Sequence, residues 1–523
     1  MLSDTAVVGI DIGTSSSKGV LVSPDGAVLA TAVRRHAVDR PAPGQVEIDG
    51  ERCWAEAADI LRELTRAGDH RIVAVGVSGM GPCVLVTDEH GRPLRPAILY
   101  GVDTRAGAQI ARLTAELGGA ERIRQRCGSA LSTQSAGPKL AWLSEHEPAV
   151  FARARRFFQP SSWLGWRLTG AYYVDHHSAS QCTPLYDAGA RSWYRPWADL
   201  IAPDLELPPL CWPGEVVGTV TPAAAAQTGL PAGIPVIAGT VDAWSEAVSV
   251  GAHRVGDLML MYGTTMFLIN TVTAPLTAPT LWGTVGALPG TRNLAGGMAT
   301  SGAITGWLAE LFGTDDYPAL LELAEASGPG AGGLLMLPYF AGERTPVADP
   351  DARGVIAGLT LSHTRGDLYR AALEATAYGV RHNVAAIEAA GGPVDRVVAV
   401  GGGTQGGLWT QIVSDVTGLE QAIPARTVGA SLGAAFFAAS AVEPVDIDEW
   451  NPIVATRKPR PELRDRYDRL YQHYLRLYPA TTPVTHALAA YQQEAYQQEA
   501  YRHEVDRHGA DRHGADRREA AAR

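Results

Sequence analysis

Long apolar runs are missing from this chain of 523 residues: none approaches the roughly 18 apolar residues a membrane-crossing helix needs. No secretory leader is expected either, since Asp4 interrupts the opening residues and the apolar stretch at residues 7–10 is too short for one. Cysteine is scarce. Cys53, Cys83, Cys127, Cys182 and Cys211 are scattered, odd in number and without a C-x-x-C pair, which argues against a disulfide framework or a structural zinc site. Ordinary half-buried thiols in a reducing, cytoplasmic setting are expected instead. Positive charge is also short: 44 Lys plus Arg stand against 55 Asp plus Glu, a net charge of −11. That leaves no electrostatic footprint for nucleic acid or an anionic membrane. An anionic small substrate remains open, because a local basic pocket or a metal ion can serve it.

What is present suits a globular enzyme. Hydrophobic residues make up 46% and charged residues 19%. The length exceeds one core and allows two large domains with a short tail. The opening reads as hairpins: AVVGIDIG, the turn GTSSS, KGVLVS, then Pro24-Asp25-Gly26 into AVLATAV. RIVAVGVSG and GPCVLVTDEHG read as further strands, and QSAGPKLAWLSEHEPAVFARA as helix. From residue 256, GDLMLMYGTTMFLIN repeats the strand, Gly-Thr turn, strand layout. We therefore expect an α/β chain built from two copies of one core, residues 1–250 and 251–480, meeting near 245–255. Residues 481–523 are expected to form a low-complexity, disordered tail. Its five-residue repeat from Tyr491 gives no continuous apolar face, and Gly509 and Gly514 weaken any helix.

Four short stretches carry chemistry. Gly9-Ile10-Asp11-Ile12-Gly13-Thr14-Ser15-Ser16-Ser17-Lys18 sets a carboxylate at a strand end, where it can hold Mg²⁺. Small residues and hydroxyls follow it and suit phosphate, as does Lys18. The stretch is not a Walker loop, and taken alone it reads more readily as a plain hairpin. Gly239-Thr240-Val241-Asp242 ends an apolar strand with a carboxylate, which reads level as a base accepting a hydroxyl proton or as a cap of the following helix. Tyr262-Gly263-Thr264-Thr265 is a second Gly-Thr turn suited to terminal phosphates. Val400-Gly401-Gly402-Gly403-Thr404 leaves room for a flat group such as adenine beside the helical LWTQIVSDVTG.

In order and spacing, residues 5–475 resemble the FGGY carbohydrate kinases of the actin-like ATPase superfamily. The resemblance is carried further by Leu337-Pro338-Tyr339-Phe340-Ala341-Gly342-Glu343-Arg344-Thr345-Pro346, by Gly354-Val355-Ile356-Ala357-Gly358-Leu359, by Asp103-x-Arg105 and by Ser431-Leu432-Gly433-Ala434-Ala435. It implies a duplicated, ribonuclease H-like fold of two domains around a central cleft, and ATP-dependent phosphorylation of a sugar hydroxyl. By that resemblance Asp242 is the base, also touching the sugar, and Asp11 helps place Mg²⁺ that comes with ATP. Gly13, Thr14, Lys18, Gly263, Thr264, Gly402 and Gly403 lie along the nucleotide. Glu343 and Arg344 are expected to be a structural charge pair. The partners implied are a small sugar and ATP, with a homodimer left open.

The sugar-side loop departs from the pattern. Val77-Ser78-Gly79-Met80-Gly81-Pro82-Cys83 has neither the Arg-Glu pair of glycerol kinases nor the Gln-Met-His of xylulose kinases. Ser161-Ser162 likewise stands where relatives usually carry an Asp. The layout is still nearest the xylulose kinases, so a ketopentose such as xylulose or ribulose is the expected substrate. A polyol, a sugar acid or a non-catalytic binding protein on the same fold are the alternatives. If Met80, Gly81 and Pro82 line the sugar site, Pro82 offers no donor where a histidine is usual, and D-xylulose is expected not to be the best substrate.

Overall fold

The computed structural model describes residues 4–521, with side chains described for residues 4–495. Two mixed sheets organise it. The first runs Val216–Thr219, Pro235–Ile237, Arg71–Gly79, Thr5–Ile12, Ser16–Val22, Val28–Arg35. The second runs Trp282–Val285, Arg292–Met298, Met266–Val272, Asp257–Tyr262, Arg396–Val400, Gln421–Pro424, Ile453–Arg457. The expected duplication is visible in the pairing. In each sheet the first strand turns back antiparallel into a hairpin, and on its other side lies parallel to two later strands. Thr5–Ile12 is covered on both faces, which is why Ala6, Val7, Val8, Ile10 and Ile12 have no exposed surface, the apolar run being interrupted only by Gly9 and, at its end, by Asp11.

The helix Asp242–Ser249 lies on the chain between the last strand of the first sheet and the first strand of the second. The two halves are packed tightly by another helix. Ala430–Val442, from the second half, lies on Thr5–Ile12 and Arg71–Gly79 of the first and against Asp242–Ser249. Glycine makes this approach possible. A Cβ on Gly9 would sit 1.9 Å from the Ser431 carbonyl oxygen, one on Gly76 1.9 Å from that of Ala434, and one on Gly433 1.9 Å from that of Ser245.

Two expectations change. The strand expected over GPCVLVTDEHG shortens to Leu85–Thr87, paired with Arg156–Phe158, because Asp88 to Gly91 close a turn. The tail expected from residue 481 does not begin there: one helix runs Arg464–Ala521. Its start is anchored by Tyr467, Tyr471 and Tyr474, which are buried at helical spacing, so later residues propagate a helix already nucleated. Beyond 481, His486 bonds Asp349 at 2.7 Å, Gln492 bonds Arg353 at 2.7 Å and Gln493 bonds Asp351 at 3.1 Å. What the repeat side chains do after residue 495 lies outside the described residues. No helix among the described residues is long and apolar enough to cross a membrane, and all five cysteines are free thiols.

Candidate active site

Parallel strands that end on one edge bring their following residues together, and open α/β sheets bind ligands there. Thr5–Ile12 delivers Asp11, Arg71–Gly79 delivers Met80 and Gly81, and Pro235–Ile237 leads to Asp242. Facing them, the segment after Gln421–Pro424 supplies Val428 and Gly429. Between the halves lies a cavity of about 480 Å³, lined by Asp11, Gly13, Lys18, Gly81, Tyr100 and Asp242 on one side and by Thr265, Trp282, Arg344 and Gly429 on the other.

The Asp242 loop is built by its glycine. A Cβ on Gly239 would fall 1.3 Å from the Val77 carbonyl oxygen, so only glycine lets the chain cross strand Arg71–Gly79 at that point. The Thr240 carbonyl then accepts from Gly79 N–H and from the Ser78 hydroxyl, and Val241 bridges to Gly79. Val241 becomes the N-cap and Asp242 the first helical residue, with its Oδ1 accepting from Ala243 N–H at 2.7 Å. Desolvation pushes the Asp242 carboxyl above the usual carboxylate range, and the Ala243 bond partly offsets it. Asp11 is pushed up further, first by desolvation and then by the charge of Asp242, with Ser78 and Lys18 acting against the shift. Glu246, one turn beyond Asp242, also lines the cavity and is raised to about 7 by desolvation and by Asp242. Lys18 is lowered by desolvation and donates to the Val428 carbonyl across the seam between the halves.

Among the residues singled out from sequence, Asp11, Gly13, Lys18, Gly81 and Asp242 line this cavity. Thr14 stands behind it, its hydroxyl 2.7 Å from that of Tyr100, which does line it. Met80 and Pro82 do not fit the role expected of them. Met80 is 1% exposed and packs in the core of the first half, and Pro82 is buried; neither lines the cavity. The loop presents its glycine to the cleft and turns its bulk inward. Gly263 and Thr264 form a turn on which the helix Gly302–Leu311 begins, their carbonyls accepting from Ser301, Gly302 and Ala303. Gly402 and Gly403 open the short helix Gly402–Thr404 after Arg396–Val400. A Cβ on Gly401 would lie 2.5 Å from the Tyr262 carbonyl oxygen, so the two glycine turns abut at one edge of the second sheet.

Glu343 and Arg344 do not form the expected pair. Neighbours on extended chain point to opposite sides. Glu343 is buried and accepts from the N–H of Ala299 at 2.8 Å and of Arg344 at 2.6 Å, while the Arg344 side chain enters the cavity. Sequence reading missed Tyr100, Gln181, Glu246 and Arg344 as cavity residues. Glu246 was findable, since it sits four residues after Asp242 on one helix face; the others come from loops with no pattern. For a cation, the fitting observation is Asp11 Oδ1, enclosed and without a hydrogen-bond partner. Among the described residues no three His, Cys, Asp or Glu side chains converge as a metal site, so a cation here would need oxygens from its own ligand.

The chain matches the models of the N-terminal domain of the FGGY family of carbohydrate kinases over residues 6–249 and of its C-terminal domain over residues 258–442. It is 30% identical to a xylulose kinase of Escherichia coli over 499 residues, covering 91% of this chain and 99% of that one. It is 34% identical to a glycerol kinase of Nocardia farcinica over 462 residues, covering 83% and 90%. The crystal structure of xylulose kinase from Rhodospirillum rubrum superposes with a TM-score of 0.86 at 35% identity, covering 92% of this chain and 100% of that chain.

Proposed function

The chain belongs to the FGGY family of carbohydrate kinases, and from that premise we propose that it transfers the γ-phosphoryl group of ATP to a hydroxyl of a ketopentose, with Asp242 as the base. The observation that carries the role of Asp242 is its place: a desolvated carboxylate on the first turn of a helix, facing a cavity that both halves line. A raised proton affinity makes a carboxylate a better acceptor of a hydroxyl proton. One Asp242 oxygen is held by the Ala243 N–H, so the carboxylate keeps a fixed orientation while its other oxygen is free for the substrate. Lys18 sets a positive charge beside the carboxylates and can take phosphate oxygens. Mg²⁺ bound with ATP supplies neutralisation of phosphate charge, and Asp11, through its unpartnered Oδ1, is the residue that would hold it.

Gly13, Thr14, Gly263, Thr264, Gly402 and Gly403 are proposed to lie along the nucleotide. A Cβ on Gly402 would meet nothing within 4 Å, which leaves open space beside that turn. A cytoplasmic location belongs to the same proposal, supported by five unpaired thiols. The ketopentose rests on the likeness to xylulose kinases. The expectation against D-xylulose loses its ground, because Met80 packs in the core, Pro82 is buried, and neither lines the cavity to meet a sugar directly. A sugar acid is the second reading, favoured by Arg344, which lines the cavity and whose guanidinium has no ion pair or hydrogen bond among the described residues. A coupled ADP-release assay over D-xylulose, D-ribulose, glycerol and D-gluconate separates them. Highest kcat/KM with a ketopentose is expected; highest with D-gluconate moves the assignment to the second reading, and no sugar-dependent ADP release removes both.

A further inference from the structure

We propose that Gln181 reads one hydroxyl of the acceptor sugar, offering its side-chain carbonyl oxygen to the cleft as a fixed hydrogen-bond acceptor, with His177 as the positioning residue behind it. This rests on the kinase reading above and goes beyond it by naming a specificity residue.

The orientation of the amide follows from a chain of obligations. His177 has no exposed surface, and its Nδ1 lies 2.6 Å from the Val285 carbonyl oxygen. A carbonyl only accepts, so Nδ1 carries the proton. Burial lowers the His177 pKa to about 3, so the ring is neutral and Nε2 holds a lone pair. Nε2 is 2.6 Å from Gln181 Nε2, which must therefore donate. With the amide nitrogen committed to His177, Oε1 is left for the cavity that Gln181 lines.

The same segment is tied to the base. Asp175 Oδ1 accepts from Ser178 N–H at 3.0 Å, capping the helix His176–Ser180, and from the Thr240 hydroxyl at 2.9 Å, two residues before Asp242. The His177 ring rests on that of Trp244, with centroids 4.1 Å apart. Val285 belongs to the second half and also donates its N–H to Ser180 Oγ at 3.1 Å. Gln181 is thus placed against Asp242 through one half and against the Trp282–Val285 strand through the other. Of the sugar-side loop, Gly81 lines the cavity without a side chain and Met80 and Pro82 are buried outside its lining, so none of these three offers a comparable group.

The test uses the full chain, ATP and D-xylulose, or whichever ketose turns over best, with analogues each lacking one non-acceptor hydroxyl. In the unaltered protein one analogue should fall about tenfold or more in kcat/KM, the effect of leaving a buried acceptor unpaired. In Gln181→Met, of similar length but without the acceptor, that analogue and the parent sugar should become equal, with KM for ATP unchanged. His177→Phe, which keeps a ring on Trp244 and frees the amide, should flatten the same preference, with a melting curve checking that it folds. A loss spread evenly over all analogues, or kinetics unchanged in Gln181→Met, overturns the assignment. Absence of sugar-dependent turnover in the unaltered protein would instead remove the reading on which it stands.

Discussion

Asp242 read from sequence as base and as helix cap with equal weight, because a carboxylate between a strand tip and a helix start looks the same in both roles. In the folded chain Val241 is the N-cap and Asp242 the first helical residue, one oxygen accepting from the Ala243 N–H while the residue still lines the cleft, which leaves it available for the proposed role of base. Asp242→Asn keeps the shape and removes the base, so kcat should fall about 10²- to 10⁴-fold with ATP affinity retained. Stability should move the other way. A carboxyl whose proton affinity is raised on folding costs stability in full above its native value, and that cost is lost as pH falls from there to the ordinary carboxylate value while the native group takes its proton. Asp242→Asn should therefore melt no lower than the parent at neutral pH, with any advantage shrinking as the pH falls into the ordinary carboxylate range. Near-normal turnover, or a clearly lower melting temperature at neutral pH with the advantage appearing only in acid, would contradict this. Met80 and Pro82 show the limit of reading residues singly: which side of a loop faces ligand depends on what packs behind it.

Elements were legible where one interaction dominates. Both hairpins and their Gly-Thr turns follow from alternation and turn residues, and Leu408–Thr417 from its helical spacing. The helix Ala430–Val442 was legible as a motif but not as a bridge, because nothing in Ser-Leu-Gly-Ala-Ala says that its glycine meets Ser245 and its small residues meet strands several hundred positions earlier. Gly433→Ala puts a methyl 1.9 Å from the Ser245 carbonyl oxygen, so the Asp242 helix and this helix must part. Overpacking of this kind costs about 1–3 kcal/mol. We expect a lower melting temperature in calorimetry together with reduced kcat, since the displaced helix carries Asp242. Parent-like values of both would show that the seam tolerates the shift.

At the scale of the whole molecule, the two sheets and the helix between them form the cleft, and the question is where the working body ends along Arg464–Ala521. Tyr467, Tyr471 and Tyr474 belong to the core, and Ala489 is still fully covered. Beyond it the described contacts are the exposed bonds of Gln492 to Arg353 and Gln493 to Asp351. Such bonds contribute about 0.5–1.5 kcal/mol each at most. Removing residues 491–523 should leave turnover unchanged and the melting temperature within a few degrees; a large fall in either would make the repeat part of the body. The sequence by itself determined the fold class, the duplicated layout and the positions of Asp11, Lys18 and Asp242, because strand periodicity and strand-end turns are local properties. Only the tertiary structure decided that Met80 and Pro82 turn inward, that Arg344 parts from Glu343 to enter the cleft, and that Gln181 is held by a neutral histidine bonded to the other half. Those outcomes depend on burial and on partners hundreds of residues away, which no local pattern encodes.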